Sequence, residues 1–214
     1  MATTIIIPTL NEEHNIGKLV EQLKQYSSDI IVADDGSTDR TREIAQRAGA
    51  RVVDRRNKMI KGITAAVMDA AKEIKTESIV VMDADFQHPP EKVKQIIDLL
   101  QKSDIVVAQR KRIIGTWSLM RRLQSRIATK LAYVRIGNKV KDPLSGFFGI
   151  KTKLLNNLDK TTWEPRCFKI LFAILKSCKN AKIATLEYDF DLRKQDKSKI
   201  RLKHSYYFIR NVLR

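Results

Sequence analysis

The chain has 214 residues, of which 43% are hydrophobic and 30% charged, a composition that excludes a disordered polypeptide and suits one globular domain. Its formal net charge of +17 favours a polyanionic partner: nucleic acid, an anionic membrane surface or a phosphorylated substrate. With two cysteines and three scattered histidines the chain lacks the ligand spacing of a zinc site, and it contains no apolar run long enough to cross a membrane.

The first half of the chain alternates short apolar runs with amphipathic segments. Ile16, Leu19, Val20 and Leu23, for example, recur at the spacing of one helical face. Because the connections are short, this order predicts an α/β fold with a parallel, doubly wound sheet and right-handed crossovers. Strands are predicted at 3–9, 29–35, 50–54, 78–82 and 104–109. One helix is predicted to begin at Asn11, a second to follow Ser37 or Thr38 and end at Gly49, a third to span 61–75 and a fourth to begin at Pro89-Pro90.

After the fifth strand the sequence becomes strongly basic. Residues 110–141 contain ten Lys or Arg and no acidic residue, and residues 193–214 contain eight Lys or Arg against the single acid Asp196. No linker or repeat is visible, so we predict one domain, 1–214, with a basic helical C-terminal part. The elements predicted here are a basic loop at 110–116, a helix at 117–135, a turn at 142–146, strands at 147–150 and 181–190, a helix at 168–175, a charged loop at 193–199 and a terminal helix.

Two features bear on the compartment of the protein. Cys167 and Cys178 lie in or beside an apolar helical pattern, which is typical of reduced core cysteines in a cytosolic protein. The first predicted strand begins close to Met1, and we therefore expect no secretory signal.

Two acidic residues, Asp83 and Asp85, follow directly on the apolar strand at 78–82, and Gln87 and His88-Pro89-Pro90 come next. Proline cannot continue a strand, so the strand ends here and delivers two carboxylates to the carboxyl edge of the sheet. Carboxylates at that edge favour a hard divalent cation, and a cation there favours a phosphorylated ligand. Taken alone, an Asp-x-Asp pattern is more often a surface turn than a metal site.

Polar residues also follow two other predicted strands, as Pro8-Thr9-Leu10-Asn11-Glu12 after the first and Asp34-Asp35-Gly36-Ser37 after the second. Because the carboxyl ends of parallel strands lie on the same edge of a sheet, we expect the three groups to converge. Taken singly, Asn11, Ser37 and Asp39 are interpreted at least as well as helix caps or turn residues. Taken together, so many carboxylates would repel one another strongly without a bound cation.

These motifs resemble those of the inverting family 2 glycosyltransferases with the GT-A fold, and most closely those of the dolichyl-phosphate mannose synthases. The likeness covers almost the whole chain and implies a GT-A (Rossmann-like), mostly parallel central sheet flanked by helices. The motifs are Ile7-Pro8-Thr9-x-Asn11-Glu12, Val32-x-Asp34-Asp35-Gly36-Ser37-x-Asp39-x-Thr41, Met82-Asp83-Ala84-Asp85-x-Gln87-His88-Pro89, Trp117 with Arg122 and Ser125-Arg126, Asp142-Pro143-Leu144-Ser145-Gly146-Phe147-Phe148, and Arg193-x-x-x-x-Ser198-Lys199.

The resemblance implies metal-dependent transfer of a sugar, with inversion, to a polyprenyl or dolichyl phosphate at a membrane surface. The donor that the resemblance favours is GDP-mannose, and the sugar transferred is then mannose. It also implies a nucleotide-sugar-binding part at 1–110 and a part at 111–214 that faces acceptor and membrane. The chain departs from the family pattern at Ala108-Gln109-Arg110 and at Lys61-Gly62. Another nucleotide sugar, such as UDP-glucose, or a non-lipid acceptor therefore stays open.

The resemblance also implies a role for individual residues. Mg²⁺ or Mn²⁺ would be held by Asp83, Asp85 and Gln87 across the donor diphosphate, where it acts as a Lewis acid on the leaving group. Asp85, Arg110 and Lys199 would act in catalysis. The residues expected at the nucleotide sugar are Pro8, Thr9, Asn11, Glu12, Asp35, Lys61, Asp83, Ala84, Asp85, Gln87, Arg110, Arg193 and Lys199.

A phosphate acceptor requires cations but no general base, because a phosphate monoester is already anionic at neutral pH. We expect Arg110, Arg126 and Ser198 at the acceptor phosphate, since the planar guanidinium group can bind two phosphate oxygens at once. The basic row that includes Arg126 is interpreted equally well as an exposed helix face. We interpret His88 as a helix-start residue rather than a catalytic one.

The helix from Trp117 and the terminal helix both combine bulky apolar residues with Lys and Arg, a composition typical of helices that lie on a membrane surface. We therefore expect peripheral attachment to the cytoplasmic face of a membrane. Both helices could instead simply pack on the sheet. A nucleic-acid-binding protein is the remaining alternative, but the carboxylates at the sheet edge would repel a phosphate backbone, so no nucleic-acid partner is expected.

Overall fold

A computed structural model of the chain describes residues 1–113, 119–190 and 202–213. The first half alternates strands and helices as the sequence predicts. The elements are β1 Thr3–Thr9, α1 Ile16–Leu23, β2 Asp29–Asp34, α2 Thr41–Arg47, β3 Arg51–Asp54, α3 Ile63–Ala71, β4 Ser78–Val81, α4 Lys92–Leu100, β5 Ile105–Ile113, α5 Leu119–Ile136, β6 Phe148–Lys151, α6 Thr152–Asn157, α7 Ile170–Ser177, β7 Ile183–Phe190 and α8 Leu202–Leu213.

The strands of the described ranges form one sheet in the order β3-β2-β1-β4-β6-β5-β7. Strand β6 runs antiparallel to both of its neighbours, β4 and β5, and every other pair in the sheet is parallel. The predicted α/β fold with a mostly parallel central sheet flanked by helices is therefore confirmed. The carboxyl ends of β1, β2 and β4, which lie side by side, meet at one edge.

The structure differs from the sequence prediction at several places, and helix α1 begins at Ile16 rather than at Asn11. Strand β6 separates β4 from β5, so the parallel run of the first half does not continue to β5. The basic segment that begins at Arg110 is strand as far as Ile113, because it pairs with β7, with an irregularity between Arg110 and Arg112. The helix after β4 begins at Lys92 rather than at Pro89-Pro90, and helix α6 was not predicted.

The core lies in two layers, one on each face of the sheet. Strand β1 shows the division, since Ile5 and Ile7 face one layer and Ile6 the other. Helices α1, α2 and α4 cover the first layer, and α3, α5, α7 and α8 cover the second. Strands buried on both faces must be apolar throughout, which explains the uninterrupted apolar runs of the sequence.

Both cysteines of the chain lie in its described part. Cys167 and Cys178 are both buried and carry free thiols, as expected for reduced core residues. Among the described helices there is none that combines the length and the apolarity needed to cross a membrane.

Candidate active site

The predicted convergence of the strand ends is present. Thr9 at the end of β1 is in register with Asp34 of β2, and the Asp35 N–H donates to the Thr9 carbonyl oxygen at 2.9 Å. On the other side of β1, the Met82 N–H donates to the Ile6 carbonyl oxygen at 3.2 Å, one residue before Asp83. The sheet therefore delivers carboxylates from β2 and β4 to either side of Thr9.

Asp34 is fully buried and organises the loop that follows β2. Its carboxylate accepts the Gly36 N–H at 3.2 Å, the Ser37 N–H at 2.9 Å and the Ser37 hydroxyl. It also accepts a guanidinium hydrogen of Arg42 at 2.8 Å. A carboxylate with this many donors is held in place by its surroundings, so Asp34 builds the site and is not presented to a ligand.

The loop after β1 is tied to the loop after β2. Asn11 has a φ of 52°, and its side-chain oxygen accepts the Thr38 N–H at 2.8 Å, while its own N–H donates to the Ser37 hydroxyl oxygen at 2.8 Å. The buried carboxylate of Glu12 accepts a hydrogen bond from the Asn15 amide at 3.0 Å. The turn interpretation of Asn11 and Ser37 therefore holds, and both residues fix the edge beside the buried Pro8 and Thr9.

Asp35 is bound by residues that the sequence analysis did not connect with it. Its carboxylate accepts the Gly62 N–H at 2.7 Å and a guanidinium hydrogen of Arg55. Arg55 is 1% exposed and also donates to Asp69 at 2.9 Å and to the Ile60 carbonyl oxygen at 2.7 Å. Burial raises the pKa of Asp35, although the Gly62 hydrogen bond and the Arg55 charge oppose that effect.

Lys61 lies beside this group and closes the loop at 55–61 on itself. Its ammonium donates to the Arg56 carbonyl oxygen at 3.0 Å and to that of Arg55. Asp35 and Lys61, which are predicted to bind the nucleotide sugar, are thus brought together by the buried Arg55. The two successive arginines after β3 are the sequence feature that could have drawn attention to Arg55.

Asp83 is the more exposed of the two carboxylates after β4, with 39% of its side chain accessible. Its N–H donates to His88 Nδ1 at 3.0 Å, which leaves the hydrogen of the neutral imidazole on Nε2, 3.8 Å from Asp83 Oδ2. His88 is buried, stacks on Phe147 with ring centroids 5.1 Å apart, and has its pKa lowered by that burial. His88 therefore supports Asp83, and the prediction that it starts a helix is wrong, since α4 begins four residues later.

The remaining residues of the Asp-x-Asp segment are buried in a tight turn. Ala84, Asp85 and Gln87 are 3%, 4% and 8% exposed. The Gln87 N–H donates to Asp85 Oδ1 at 3.1 Å, and Phe86 between them has a φ of 58°. Asp85, one of the three expected metal ligands, is thus less accessible than Asp83.

The side chains after β4 bear on the expected site for Mg²⁺ or Mn²⁺. Among the described residues no group of three or more His, Cys, Asp or Glu is clustered closely enough to hold an ion. Asp83 and Asp85 do supply the carboxylate oxygens that Mg²⁺ and Mn²⁺ prefer. The donor set fits a cation that takes its other ligands from a bound diphosphate and from water, as Mg²⁺ commonly does.

A cluster of opposite charges lies next to Asp83. Arg110 binds Asp142 with two hydrogen bonds, from Nε at 2.6 Å and from a terminal nitrogen at 2.9 Å. Burial opposes ionisation of Asp142, but the hydrogen bonds and charge of Arg110 outweigh it and lower the pKa of Asp142. The turn at 142–146 also contains Gly146, where a side chain would meet Asp83 Oδ2 at 3.0 Å.

Two further residues of this cluster were missed by the sequence analysis. Lys169 donates to the Leu144 carbonyl oxygen at 2.7 Å, and burial together with the Arg110 charge lowers the pKa of Lys169 to about 8. Burial also raises the pKa of Tyr188, which packs edge-on against Phe147. Lys169 is the one charge just before the apolar run of α7, which is the sequence feature that could have identified it.

The other predicted phosphate-binding residues are not joined to this cluster by any described contact. Arg126 is exposed on α5 and makes no hydrogen bond or ion pair with a described residue. Arg193, Ser198 and Lys199 lie outside the described residues.

Comparison with known proteins gives relatives in sequence and in structure. The family model "Glycosyl transferase family 2" matches residues 4–159. The dolichol-phosphate mannosyltransferase of Pyrococcus furiosus is 34% identical over 100% of this chain, which spans 63% of that protein's length. The protein of the same name from Saccharomyces cerevisiae is 30% identical over 92% of this chain and 80% of its own length.

The fold is shared with a solved enzyme structure. Glucosyl-3-phosphoglycerate synthase from Mycobacterium tuberculosis, in complex with Mn²⁺, UDP-glucose and phosphoglyceric acid, superposes with a TM-score of 0.75. The match covers 99% of this chain and 77% of that one at 22% identity. At this identity the likeness shows the fold alone.

Proposed function

The chain belongs to glycosyl transferase family 2, and on that premise we propose that it transfers a sugar from a nucleoside diphosphate to a polyprenyl or dolichyl phosphate. Mannose from GDP-mannose is the donor we favour, because two relatives at 34% and 30% identity are dolichol-phosphate mannosyltransferases. The observation that carries the proposal is the position of the half-exposed Asp83 beside the Arg110–Asp142 pair and Lys169. A carboxylate edge beside these two partly buried cations suits a diphosphate leaving group and a phosphate nucleophile.

The first part of the chain, 1–110, would bind the donor. Asp35 would accept hydrogen bonds from the nucleobase or ribose, with Lys61 beside it and the strand end of Pro8, Thr9, Asn11 and Glu12 as the wall. Asp83, Asp85 and Gln87 would hold Mg²⁺ or Mn²⁺, with the small Ala84 between the two carboxylates. When bound, the cation stabilises the negative charge that develops on the departing diphosphate.

The second part, 111–214, would bind the acceptor. A phosphate oxygen of the lipid forms the new bond to the anomeric carbon, while the bond from that carbon to the donor diphosphate breaks, with inversion. This oxygen is anionic at neutral pH, so the reaction needs no general base, and the buried neutral His88 is not required to act as one. Arg110 would orient the phosphate, and Arg126, Arg193, Ser198 and Lys199 are assigned to phosphate groups on the resemblance.

We also propose that the enzyme docks on the cytoplasmic face of a membrane through α5 and α8. Leu123, Ile127 and Val134 are exposed on α5 among basic residues, and Tyr206 and Leu213 are exposed on α8. Anionic headgroups attract basic side chains near the surface by about 1 kcal/mol each, and the apolar side chains would enter the interface.

A transfer assay tests the proposed reaction. The protein is incubated with labelled GDP-mannose, Mg²⁺ or Mn²⁺ and a short polyprenyl phosphate, and the lipid is extracted. We expect labelled lipid, none when the polyprenyl phosphate is replaced by the polyprenyl alcohol, and none in excess EDTA. UDP-glucose and phosphoglyceric acid serve as alternative donor and acceptor. Absence of labelled lipid with every common nucleotide sugar would refute the proposal.

Sedimentation with vesicles tests the membrane surface. Binding to vesicles that contain an anionic lipid should exceed binding to neutral ones and should weaken as salt rises, because the attraction is screened. Replacing Leu123 and Ile127 by Ser should weaken binding at every salt concentration. Binding that is unchanged by anionic lipid, salt and these substitutions would rule out α5 as the docking helix.

A further inference from the structure

Lys169 lies beside the site, but the reaction above assigns it no role of its own. We propose that Lys169 is a phosphate-binding residue of this site and acts beside Arg110 on a phosphate group of the acceptor or of the donor. The inference rests on the proposed function, which supplies the two sources of phosphate. Its basis is the set of contacts around the Lys169 ammonium.

The Lys169 ammonium is fixed by the same turn that fixes Arg110. It donates to the Leu144 carbonyl oxygen at 2.7 Å, and Asp142, two residues earlier, binds Arg110 through both carboxylate oxygens. The turn therefore positions both cations. An ammonium group has three N–H donors, and this is the one hydrogen bond that the Lys169 ammonium makes with a described residue.

Lys169 lies among charges of both signs: beyond the effect of burial, Arg110 lowers its pKa, and Asp142 and Asp83 raise it. No described carboxylate lies within ion-pairing distance of Lys169, whereas the nearby Arg110 has Asp142 as its direct partner. Besides the Leu144 carbonyl oxygen, the ammonium has the Phe168 ring centroid at 5.0 Å. An anion that binds both Arg110 and Lys169 would give the ammonium a direct ionic partner, and phosphate is the anion that the reaction supplies.

A polar atom in the same cluster also supports an anion-binding site. The Tyr188 hydroxyl is buried and makes no hydrogen bond of normal geometry with a described residue, although Ser145 is close enough to oppose the rise of its pKa that burial causes. Arg110, Asp142 and Asp83 are all close enough to act on its ionisation. A hydroxyl donor, an ammonium and a guanidinium thus lie together beside Asp83, which is the composition of an anion site.

The competing interpretation is that Lys169 only ties α7 to the turn at 142–146. The two interpretations are separated by replacing Lys169 with Met, which removes the charge and the hydrogen bond, and with Gln, which removes the charge but keeps an N–H donor. Lys176→Met is the matched control, because Lys176, near the end of the helix that Lys169 precedes, also donates to a carbonyl oxygen, that of Asn211, at 2.9 Å. Thermal unfolding of each variant verifies that it is folded.

Binding is measured by titration calorimetry with three probes: farnesyl phosphate, farnesol, and GDP with Mg²⁺. We expect Lys169→Met and Lys169→Gln to weaken binding of a phosphate-containing probe by about tenfold or more, and to leave farnesol binding unchanged. Weakening for farnesyl phosphate alone assigns Lys169 to the acceptor, and weakening for GDP alone assigns it to the donor. Lys176→Met should match the wild type.

Several outcomes would overturn the inference. Equal affinities for Lys169→Gln and the wild type would show that the hydrogen bond and not the charge matters. The inference would also be overturned if the variants lost affinity for farnesol to the same extent, or if the wild-type protein bound neither phosphate probe. Failure of the proposed function is a different result, namely wild-type protein that binds these probes but forms no labelled lipid.

Discussion

The carboxyl ends of β2 and β4 both carry two acidic residues, but the fold uses the two pairs differently. Asp34, the first acid after β2, is fully buried and accepts hydrogen bonds from Gly36, Ser37 and Arg42. Asp83, the first acid after β4, is 39% exposed, and its backbone N–H donates to the neighbouring His88. Equal residue types at one sheet edge thus have opposite exposure.

The second acids of the two pairs differ as well. Asp35 accepts hydrogen bonds from the distant Arg55 and Gly62, whereas Asp85 accepts one from Gln87 within its own turn. The carboxylate of Asp35 is thus held by residues that are distant in sequence, whereas a hydrogen bond within its own turn contributes to holding that of Asp85. We therefore infer a scaffold role for Asp34, which holds the loop after β2 in place, and a ligand-binding role for Asp83.

The largest effect should come from Asp83→Asn. Removing the exposed carboxylate should lower the rate of sugar transfer by about 10²- to 10³-fold, because a carboxylate that binds a cation or a developing charge is lost. The free energy of unfolding should change by less than about 1 kcal/mol, since 39% of the side chain is accessible to solvent. The two quantities are measured by the lipid-extraction assay and by denaturant unfolding.

Asp98→Asn is the matched control for Asp83→Asn, because Asp98 is a similarly exposed carboxylate on α4 that pairs with Lys94. We expect its activity to equal that of the wild type. If Asp83→Asn kept full activity, the assignment of ligand chemistry to the β4 end would be wrong.

Asp34→Asn should have the second largest effect, and on stability rather than on chemistry. The variant leaves the Arg42 guanidinium without its carboxylate in a buried position, which should lower the free energy of unfolding by about 3 kcal/mol. Asp54→Asn, at the end of β3 beside the exposed Arg56, is the control and should change stability little. An Asp34→Asn protein of wild-type stability would contradict the scaffold role.

The apolar runs predicted β1, β2 and β4 closely, because strands buried on both faces must be apolar throughout. The convergence of Thr9, Asp34 and Asp83 followed from the parallel order of those strands. The strand at β6 was predicted as well, but its neighbours in the sheet could not be, because periodicity identifies a strand and not the strands that it pairs with. Its insertion between β4 and β5 depends on backbone pairing across the whole sheet.

The buried cations were missed for a related reason. A lysine or arginine is normally solvated, and its burial depends on partners that are distant in sequence. Arg55 is buried by Asp35 and Asp69, and Lys169 by the turn at 142–146. The sequence therefore identified the carboxylates that follow strands but not the cations that come to them from elsewhere in the chain.

Asp142 is a third acid to compare with Asp34 and Asp83. The pH dependence of the free energy of unfolding tests whether the charge of Asp142 stabilises the fold. Hydrogen bonds from Arg110 lower the pKa of Asp142 in the fold despite the burial that opposes them. A lowered folded pKa contributes stability that is present above the unfolded value of about 3.9 and is lost as pH falls through the folded pKa. The wild type should therefore be more stable than Asp142→Asn by about 2 kcal/mol at pH 7, with the difference shrinking at acid pH.

Denaturant unfolding of both proteins between pH 7 and pH 2 measures this difference. Asp142 would then resemble Asp34, as an acid whose charge stabilises the fold. A difference that stayed constant over the whole range would mean that the Arg110 pair does not couple ionisation of Asp142 to folding.

Gly146→Ala should have the smallest effect, and it acts on the β4 end without touching its charges. An added Cβ would lie 3.0 Å from Asp83 Oδ2 and 3.1 Å from His88 Cε1, so the Asp83 carboxylate must shift by a few tenths of an ångström. A shift of the exposed acid should lower the transfer rate several-fold, with a loss of about 1 kcal/mol in stability from the tight contact. Gly137→Ala is the control: Gly137 has a φ of 70° and open space around its Cβ position, so Ala should cost about 1 kcal/mol of stability and leave the rate unchanged. Equal rates for the two variants would mean that the position of the Asp83 carboxylate does not limit transfer.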